Sequence, residues 1–414
     1  MSYRVFNETT APSTPAAGKI SMYADSADEK IKVIDDQGFV ACLTPDGWRE
    51  QNKCANGDFG FAQRQVPTTL TNIGAALAGG RQYSFDRFFI SNSGGSAIPQ
   101  TQQVTNVAGA EAGLNSAQYL KIKNTGATSK IFLGQVLEVG DCTHLNGSKV
   151  RVQMKMKYSV AASMVVRLGL VYMTSAGTAD TILASAAGFI SAVNGTGVDP
   201  TLTAAANLAY ATPLITESTG TIVGNGVDCT LTNGWVRYSA TFTVPATAKN
   251  LIPCVWTNAA IAINDELNVA EFGLYAGEEV RDWHPLMDGV ELSACQRFYQ
   301  KSFPLLIAPA AAVAVATGGT GRAGIIGKAG ATALAVKIPI VFNPPLRITP
   351  TLTLFTPVGA GAVPYRIDGT TPAVQTSVAQ VGLLQTGVTI TATGDAAGAV
   401  GDLVGVHYTA DAEI

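Results

Sequence analysis

Charge is what this sequence has least of. Of its 414 residues, 14% are Asp, Glu, Lys or Arg, against the roughly 25% of an ordinary globular chain. The formal net charge is −3, and no Arg- or Lys-rich stripe is present, which argues against electrostatic binding to nucleic acid. Histidine is scarce, with only His144, His284 and His407. The six cysteines, at 42, 54, 142, 229, 254 and 295, form no C-x-x-C pair, and no second close pair joins Cys142 and His144 in a ligand set. They read as reduced, buried, small apolar residues, and neither metal nor cofactor is expected. Long hydrophobic runs are missing too. The longest, Leu305 to Thr317, contains Pro309 and falls short of the ~20 residues that span a bilayer. The opening residues, Met1 to Asn7, lack a basic-then-apolar leader. The expectation is a chain made in a cytoplasm, with no membrane insertion.

Alternation is what the sequence has in quantity. Val150, Val152, Met154, Met156 and Tyr158 fall on one face of a strand. So do Val236, Tyr238, Ala240, Phe242 and Val244, then Val336, Ile338, Ile340 and Phe342, and finally Val404, Val406 and Tyr408. Successive side chains on a strand point to opposite faces, so each set marks one buried face. Pro339 cannot donate to a ladder, which puts its strand at a sheet edge. Turn signals such as Asn225-Gly226 and Asn233-Gly234 punctuate these runs. The cations of Lys149 to Lys157 alternate with apolar residues and read as a solvated strand face. One segment has helical spacing: Leu292, Cys295 and Tyr299 in Glu291 to Lys301. Thr178 to Leu214 is rich in Ala, Gly and Thr with little periodicity, and reads as a long loop.

The fold class expected is therefore all-β and multi-domain. Residues 1–55 form a small N-terminal β module, and 56–288 a central β block. Residues 289–302 are a short helical connector, and 303–414 a C-terminal β-sandwich. No repeat of 20–50 residues appears, which argues against a parallel β-helix.

Catalytic chemistry finds no home in these patterns. Gly319-Thr320-Gly321-Arg322-Ala323-Gly324 spells G-x-G-x-x-G, but no helix pattern follows to receive a pyrophosphate. Asp35-Asp36 and Glu278-Glu279 are adjacent pairs, which point opposite ways on a strand. No catalytic residue is nominated and no enzyme is expected. Sugar binding calls for exposed aromatics beside polar groups, and Trp235, Trp256, Tyr172 and the Tyr365-Arg366-Ile367-Asp368 run are the candidates. Core packing competes for each of them. Tyr365, Arg366 and Asp368 are preferred as a receptor-binding set because they sit in a Gly/Pro-rich stretch, and loops on rigid scaffolds often carry recognition.

A set of short phrases occurs in order along the chain. Asn56-Gly57-Asp58-Phe59 with Gln63-Arg64 opens the central block. Asp86-Arg87-Phe88-Phe89, Tyr119-Leu120-Lys121-Ile122, Gly234-Trp235-Val236-Arg237-Tyr238 and Glu271 to Gly277 follow. Glu291 to Lys301 closes the block, and Tyr408 to Ile414 ends the chain. Together they resemble tail fibres and minor structural proteins of tailed bacteriophages, and the central block resembles their jelly-roll domain, which is similar to carbohydrate-binding modules. Ala62 departs from the aromatic often carried there. The resemblance implies a fibre of the virion, a homotrimer, anchored to other tail or capsid proteins by its N-terminal module. It also implies a jelly-roll sandwich that binds a glycan or other receptor on the host surface. A decoration, collar or head fibre without receptor, and a glycan depolymerase, are the alternatives.

Overall fold

The computed structural model describes residues 8–9, 12–25, 30–34, 36–37, 40–42, 51–64, 71–72, 82–92, 99–106, 111, 113–125, 130–159, 163–178, 180, 190–192, 199–202, 207–216, 220–278, 280–283, 288–305, 307–310, 325–328, 336–356, 365–366, 377–393 and 403–413. The fold is all-β, and the chain divides into two compact units, Met1–Gln51 and Asn52–Ile414. In the first unit, β1 (Glu8–Thr9), β2 (Ser21–Asp25), β3 (Lys30–Ile34) and β4 (Val40–Cys42) form one sheet in that order. Tyr23 and Ile34 are its buried side chains among those described. The second unit begins at Asn52, whose side chain bonds Phe272 O and Leu274 N of the central block, so residues 52–55 pack with that block.

The central block contains β5 (Thr71–Asn72), β6 (Gln82–Phe85), β7 (Phe88–Asn92), β8 (Pro99–Thr105), β9 (Gln118–Asn124) and β10 (Ile131–Gln135). A turn of helix α1 (Val139–Cys142) leads to β11 (Lys149–Tyr158) and β12 (Met164–Met173). Then come β13 (Ile190–Ala192), β14 (Thr201–Leu202), β15 (Leu208–Tyr210), β16 (Pro213–Thr216), β17 (Gly220–Val223) and β18 (Gly226–Leu231). The block closes with β19 (Val236–Thr243), β20 (Leu251–Thr257) and β21 (Glu266–Ala276). Two sheets result. One runs β17-β18-β12-β20-β10-β7-β6 with β15 added at β12, and the other β16-β19-β11-β21-β9-β8-β5. The alternating residues meet between them: Val150, Val152, Met154, Met156, Tyr238, Ala240 and Phe242 share one core with Leu133, Leu168, Phe272 and Leu274. The outer face of the first sheet is apolar as well, with Phe89, Phe132 and Trp256 stacked in a row.

Three local readings change. β13, β14 and β15 lie inside the stretch that reads as loop and β16 overlaps its end; β13 pairs with β14, β15 with β12 and β16 with β19. Strands of three or four residues are too short to show a period. The helical segment is α2 (Asp288–Gln296), and Tyr299 belongs to the strand β22 (Tyr299–Lys301). The backbone of β22 pairs with Thr409–Asp411 instead of continuing the helical i→i−4 bonds. Tyr365 and Arg366 form a two-residue strand rather than a loop.

The C-terminal part contains β23 (Ile325–Lys328), β24 (Val336–Val341), β25 (Thr351–Phe355), β26 (Tyr365–Arg366), β27 (Ser377–Leu384), β28 (Gly387–Thr393) and β29 (Leu403–Asp411). The long β29 pairs with β22, β23, β25 and β26. A second sheet runs β24-β28-β27, which puts Pro339 on an edge strand among the described residues. Ile338, Ile340, Phe342, Val404, Val406 and Tyr408 form the core between the two.

The recurring phrases meet where α2 and the chain end pack on the central block. Asn56 adopts φ 59, a left-handed conformation that Asn tolerates. Its amide N–H donates to Glu291, and its side chain bonds Phe61 and Asp86. Gln63 Nε2 donates to Asp86 at 2.7 Å and to Tyr299 O at 3.3 Å. The Arg64 guanidinium lies 3.9 Å from the Tyr299 ring centre and pairs with Asp411 at 3.2 Å, Glu413 at 3.4 Å and Asp86 at 3.6 Å. Arg87 lies 3.2 Å from the Phe298 ring centre, pairs with Glu413 at 2.9 Å and donates to Val136 O. Burial pushes the Glu291 carboxyl up to about 7, with the Asp58 charge adding to the effect. Removing one member of such a buried pair strands its partner, at a cost of about 3–5 kcal/mol.

Gly57 shows how tight this junction is. A Cβ there would lie 2.2 Å from Phe272 O and 2.7 Å from the Trp283 ring. Gly57→Ala is expected to cost about 1–3 kcal/mol, the usual price of overpacking. Gly289→Ala, in α2 with nothing within 4 Å, should be neutral or stabilise by up to about 1 kcal/mol. Urea denaturation of both variants checks the pair, and equal stabilities would contradict the packing described.

Candidate functional site

The outer face of the β11 sheet is built by the same alternation that fills the core. Because Leu120 and Ile122 point inward on β9, Tyr119 and Lys121 point outward. Because Val150 to Met156 alternate inward on β11, Arg151, Gln153, Lys155 and Lys157 share the outer face. These polar residues are not a solvated row. Gln153 is 2% exposed, and its amide bonds the Arg281 backbone twice, at 2.7 and 3.1 Å. The segment after β21 therefore crosses this face as a strap, with Glu278 paired to Lys149 at its start. One step along, Lys155 donates to Glu271 and to Gly113 O at 2.6 Å. Glu271 has φ 52 beside a bulge and also accepts from the N–H groups of Asn115 and Ser116. That knot holds the 113–116 segment over the middle of the face.

Among the described residues the far end stays open. A recess of about 220 Å³ is lined by Tyr119, Lys121, Lys157, Tyr158, Ser159, Asn233, Glu266 and Asn268. Tyr119 and Trp235 form an edge-to-face pair with centres 5.1 Å apart. Lys157 lies 4.9 Å from the Trp235 ring centre and 5.3 Å from that of Tyr119. Glu111 ties the three together, accepting from Lys157 Nζ at 2.6 Å, Trp235 Nε1 at 2.9 Å and the Tyr119 hydroxyl at 3.2 Å. Burial pushes the Glu111 carboxyl up, but these hydrogen bonds and the Lys157 charge outweigh it and hold it below the ordinary Glu range. Lys121 and Glu266 pair at 3.3 Å on the rim. The Tyr158 hydroxyl donates to Asp265 at 2.6 Å. Asn268, 2% exposed, has its buried Oδ1 without a hydrogen-bond partner. An aromatic pair, two balanced ion pairs and an orphan amide acceptor suit a neutral, hydroxyl-rich ligand.

The sequence candidates scatter. Trp235 stands beside the recess. Trp256 is 1% exposed in the apolar row of the other sheet, and Tyr172 packs against the central core. The Tyr365 and Arg366 backbones pair with Gly405 and Val404 of β29. Their side chains, and Asp368, lie outside the described residues, as does the Gly319–Gly324 run. Tyr119, Lys157, Glu266 and Asn268 were missed as a site, although Tyr119 and Lys121 share one of the recurring phrases. Only the pairing of β9, β11 and β21 brings them together. A larger recess, about 470 Å³, touches Arg64, Tyr299, Thr351, Thr353, Thr409 and Asp411, but its charges pair within the junction. The described cysteines, 54, 142, 229, 254 and 295, are free and buried. Among the described residues no group of His, Cys, Asp or Glu is placed to hold a metal ion, and no helix is long and apolar enough to cross a membrane.

No family model and no curated protein matches this chain. Among solved structures, the enzymatically active domain of bacteriophage CBA120 tailspike protein 4 is similar over 55% of this chain and 21% of that one, at 9% identity and TM-score 0.29. TmCBM61, in complex with β-1,4-galactotriose, is similar over 55% of this chain and 99% of its own, at 9% identity and TM-score 0.28. The C-terminal family 22 carbohydrate-binding module of Clostridium thermocellum Xyn10B is similar over 55% and 99%, at 13% identity and TM-score 0.26. Overlays this weak do not carry function across.

The Glu111 carboxyl is depressed in the folded chain, so it stabilises the fold above the ordinary Glu pKa and loses that contribution as pH falls through its own lower value. Glu111→Gln should therefore lower stability at pH 7 by no more than about 1 kcal/mol, the scale of a partly exposed ion pair. The gap to wild type should close below about pH 4. Thermal unfolding across pH checks this, and a gap that widens in acid would contradict it.

Proposed function

We propose that this protein is a virion fibre whose central sandwich binds glycans on the host surface through the recess beside Tyr119 and Trp235. The single observation that carries the glycan part is the recess itself, lined by the aromatic side chains of Tyr119 and Tyr158, the Lys121–Glu266 ion pair and the amides of Asn233 and Asn268, with the Tyr119–Trp235 ring pair beside it. The virion role is supported by the ordered phrases, which resemble those of phage fibres. In this reading the N-terminal unit attaches to other tail or capsid proteins, the chain assembles as a homotrimer, and no nucleic acid or cofactor takes part. The protein binds rather than cleaves.

Competition for adsorption tests the reading. Purified protein added before infection should block attachment of the cognate phage, and Trp235→Ala should block at least tenfold less well while unfolding within about 1–2 kcal/mol of wild type. Intact folding with no competition would favour a decoration or collar fibre. Release of reducing ends from host glycans would favour a depolymerase.

A further inference from the structure

The outer face of the β11 sheet is closed over most of its length. Gln153 is taken by the strap at Arg281. Lys155 is taken by Glu271 and Gly113. Among the described residues, the end at Lys157 is the part left open. Gln153 and Lys157 are four residues apart on one strand, or about 14 Å at ~3.4 Å per residue, so a glycan laid along the sheet would meet backbone within two sugar widths of the recess. The open volume, about 220 Å³, falls below the roughly 300–1,000 Å³ of sites that take drug-sized ligands. Nor does the recess favour an ionised sugar. Lys121 is matched by Glu266 and Lys157 by Glu111, so each cation already has its anion.

One atom inside asks for a partner. Asn268 Oδ1 is buried, accepts from nothing, and belongs to a residue that lines the recess. A buried acceptor without a donor costs free energy that folding does not return. A turn of the Asn268 side chain would present it to a sugar hydroxyl in the recess, which would donate to it. The neighbouring Lys121–Glu266 pair presents a donor and an acceptor side by side on the rim, which suits adjacent hydroxyls.

Resting on the glycan reading above, we infer that the recess recognises one terminal, uncharged sugar unit end-on, with Asn268 as the residue that sets specificity by accepting from a ring hydroxyl. The strap and the Lys155 knot are what prevent recognition along a chain. The reading separates this site from a groove: affinity resides in the last unit and does not grow with length.

Binding to monosaccharides and to matched linear hexasaccharides of the gluco-, galacto-, manno- and xylo- series, measured by calorimetry on the full chain, tests the inference alongside Asn268→Leu. The expected result is one series bound, with monosaccharide and hexasaccharide affinities within about threefold. Asn268→Leu should lose at least tenfold in affinity while its unfolding midpoint stays level or rises, because an unpaired amide has been replaced by an apolar side chain of similar size. A hexasaccharide bound more than tenfold tighter than its monosaccharide would overturn end-on recognition and leave glycan binding standing. A variant that loses stability without losing affinity would overturn the role of Asn268. Binding to none of the series would overturn this inference, and the same protein's success or failure in adsorption competition then decides the broader reading separately.

Discussion

The second unit depends on one buried charge system. Arg64 and Arg87 lie between the carboxylates of Asp86, Asp411 and Glu413, each guanidinium resting on an aromatic ring of the segment just after α2. Few charges appear anywhere in this chain, and a chain that spends them here must satisfy them. Burying a guanidinium without an anion would cost several kcal/mol. The α2 segment and the chain end are therefore held to the central sandwich by groups that have nowhere else to go. That makes residues 52–414 one unit although they contain separate core clusters.

The same constraint explains the recurring phrases. Asn56, Gly57, Gln63, Arg64, Asp86, Arg87, Glu291, Phe298, Tyr299, Asp411 and Glu413 come from distant parts of the sequence and meet at a single junction. Asn56 is needed for its left-handed backbone and its three-way bonding, and Gly57 because any side chain would strike Phe272. The phrases that suggest a family are thus architectural. The recognition we propose lies elsewhere, on the outer face of the β11 sheet, where among the described residues fixed pairs close much of the surface beside a recess.

Much of the fold was legible in the sequence, because strand alternation is a direct image of burial. Val150 to Tyr158, Val236 to Val244, Ile338 to Phe342 and Val404 to Tyr408 all face cores as the pattern requires. Short strands were not legible: β15 and β16 are too brief to repeat. The end of α2 was hidden as well, since Tyr299 fits helical spacing and is claimed by β29 only in three dimensions. The site was the least legible part. Tyr119, Lys157 and Asn268 are separated by 38 and 111 residues in sequence and become neighbours only through the register of β9, β21 and β11. The alternating cations of β11 read as a solvated face because nothing local announces the strap that covers them.

Native-state hydrogen exchange tests the central claim, that the junction makes the sandwich and the C-terminal sheets one cooperative unit. Amides of β11 in the sandwich and of β29 in the C-terminal part should open with the same free energy and the same denaturant dependence, because neither can leave while the Arg64 and Arg87 pairs hold. A β29 that exchanges through a lower-energy opening, while β11 stays protected, would contradict the account.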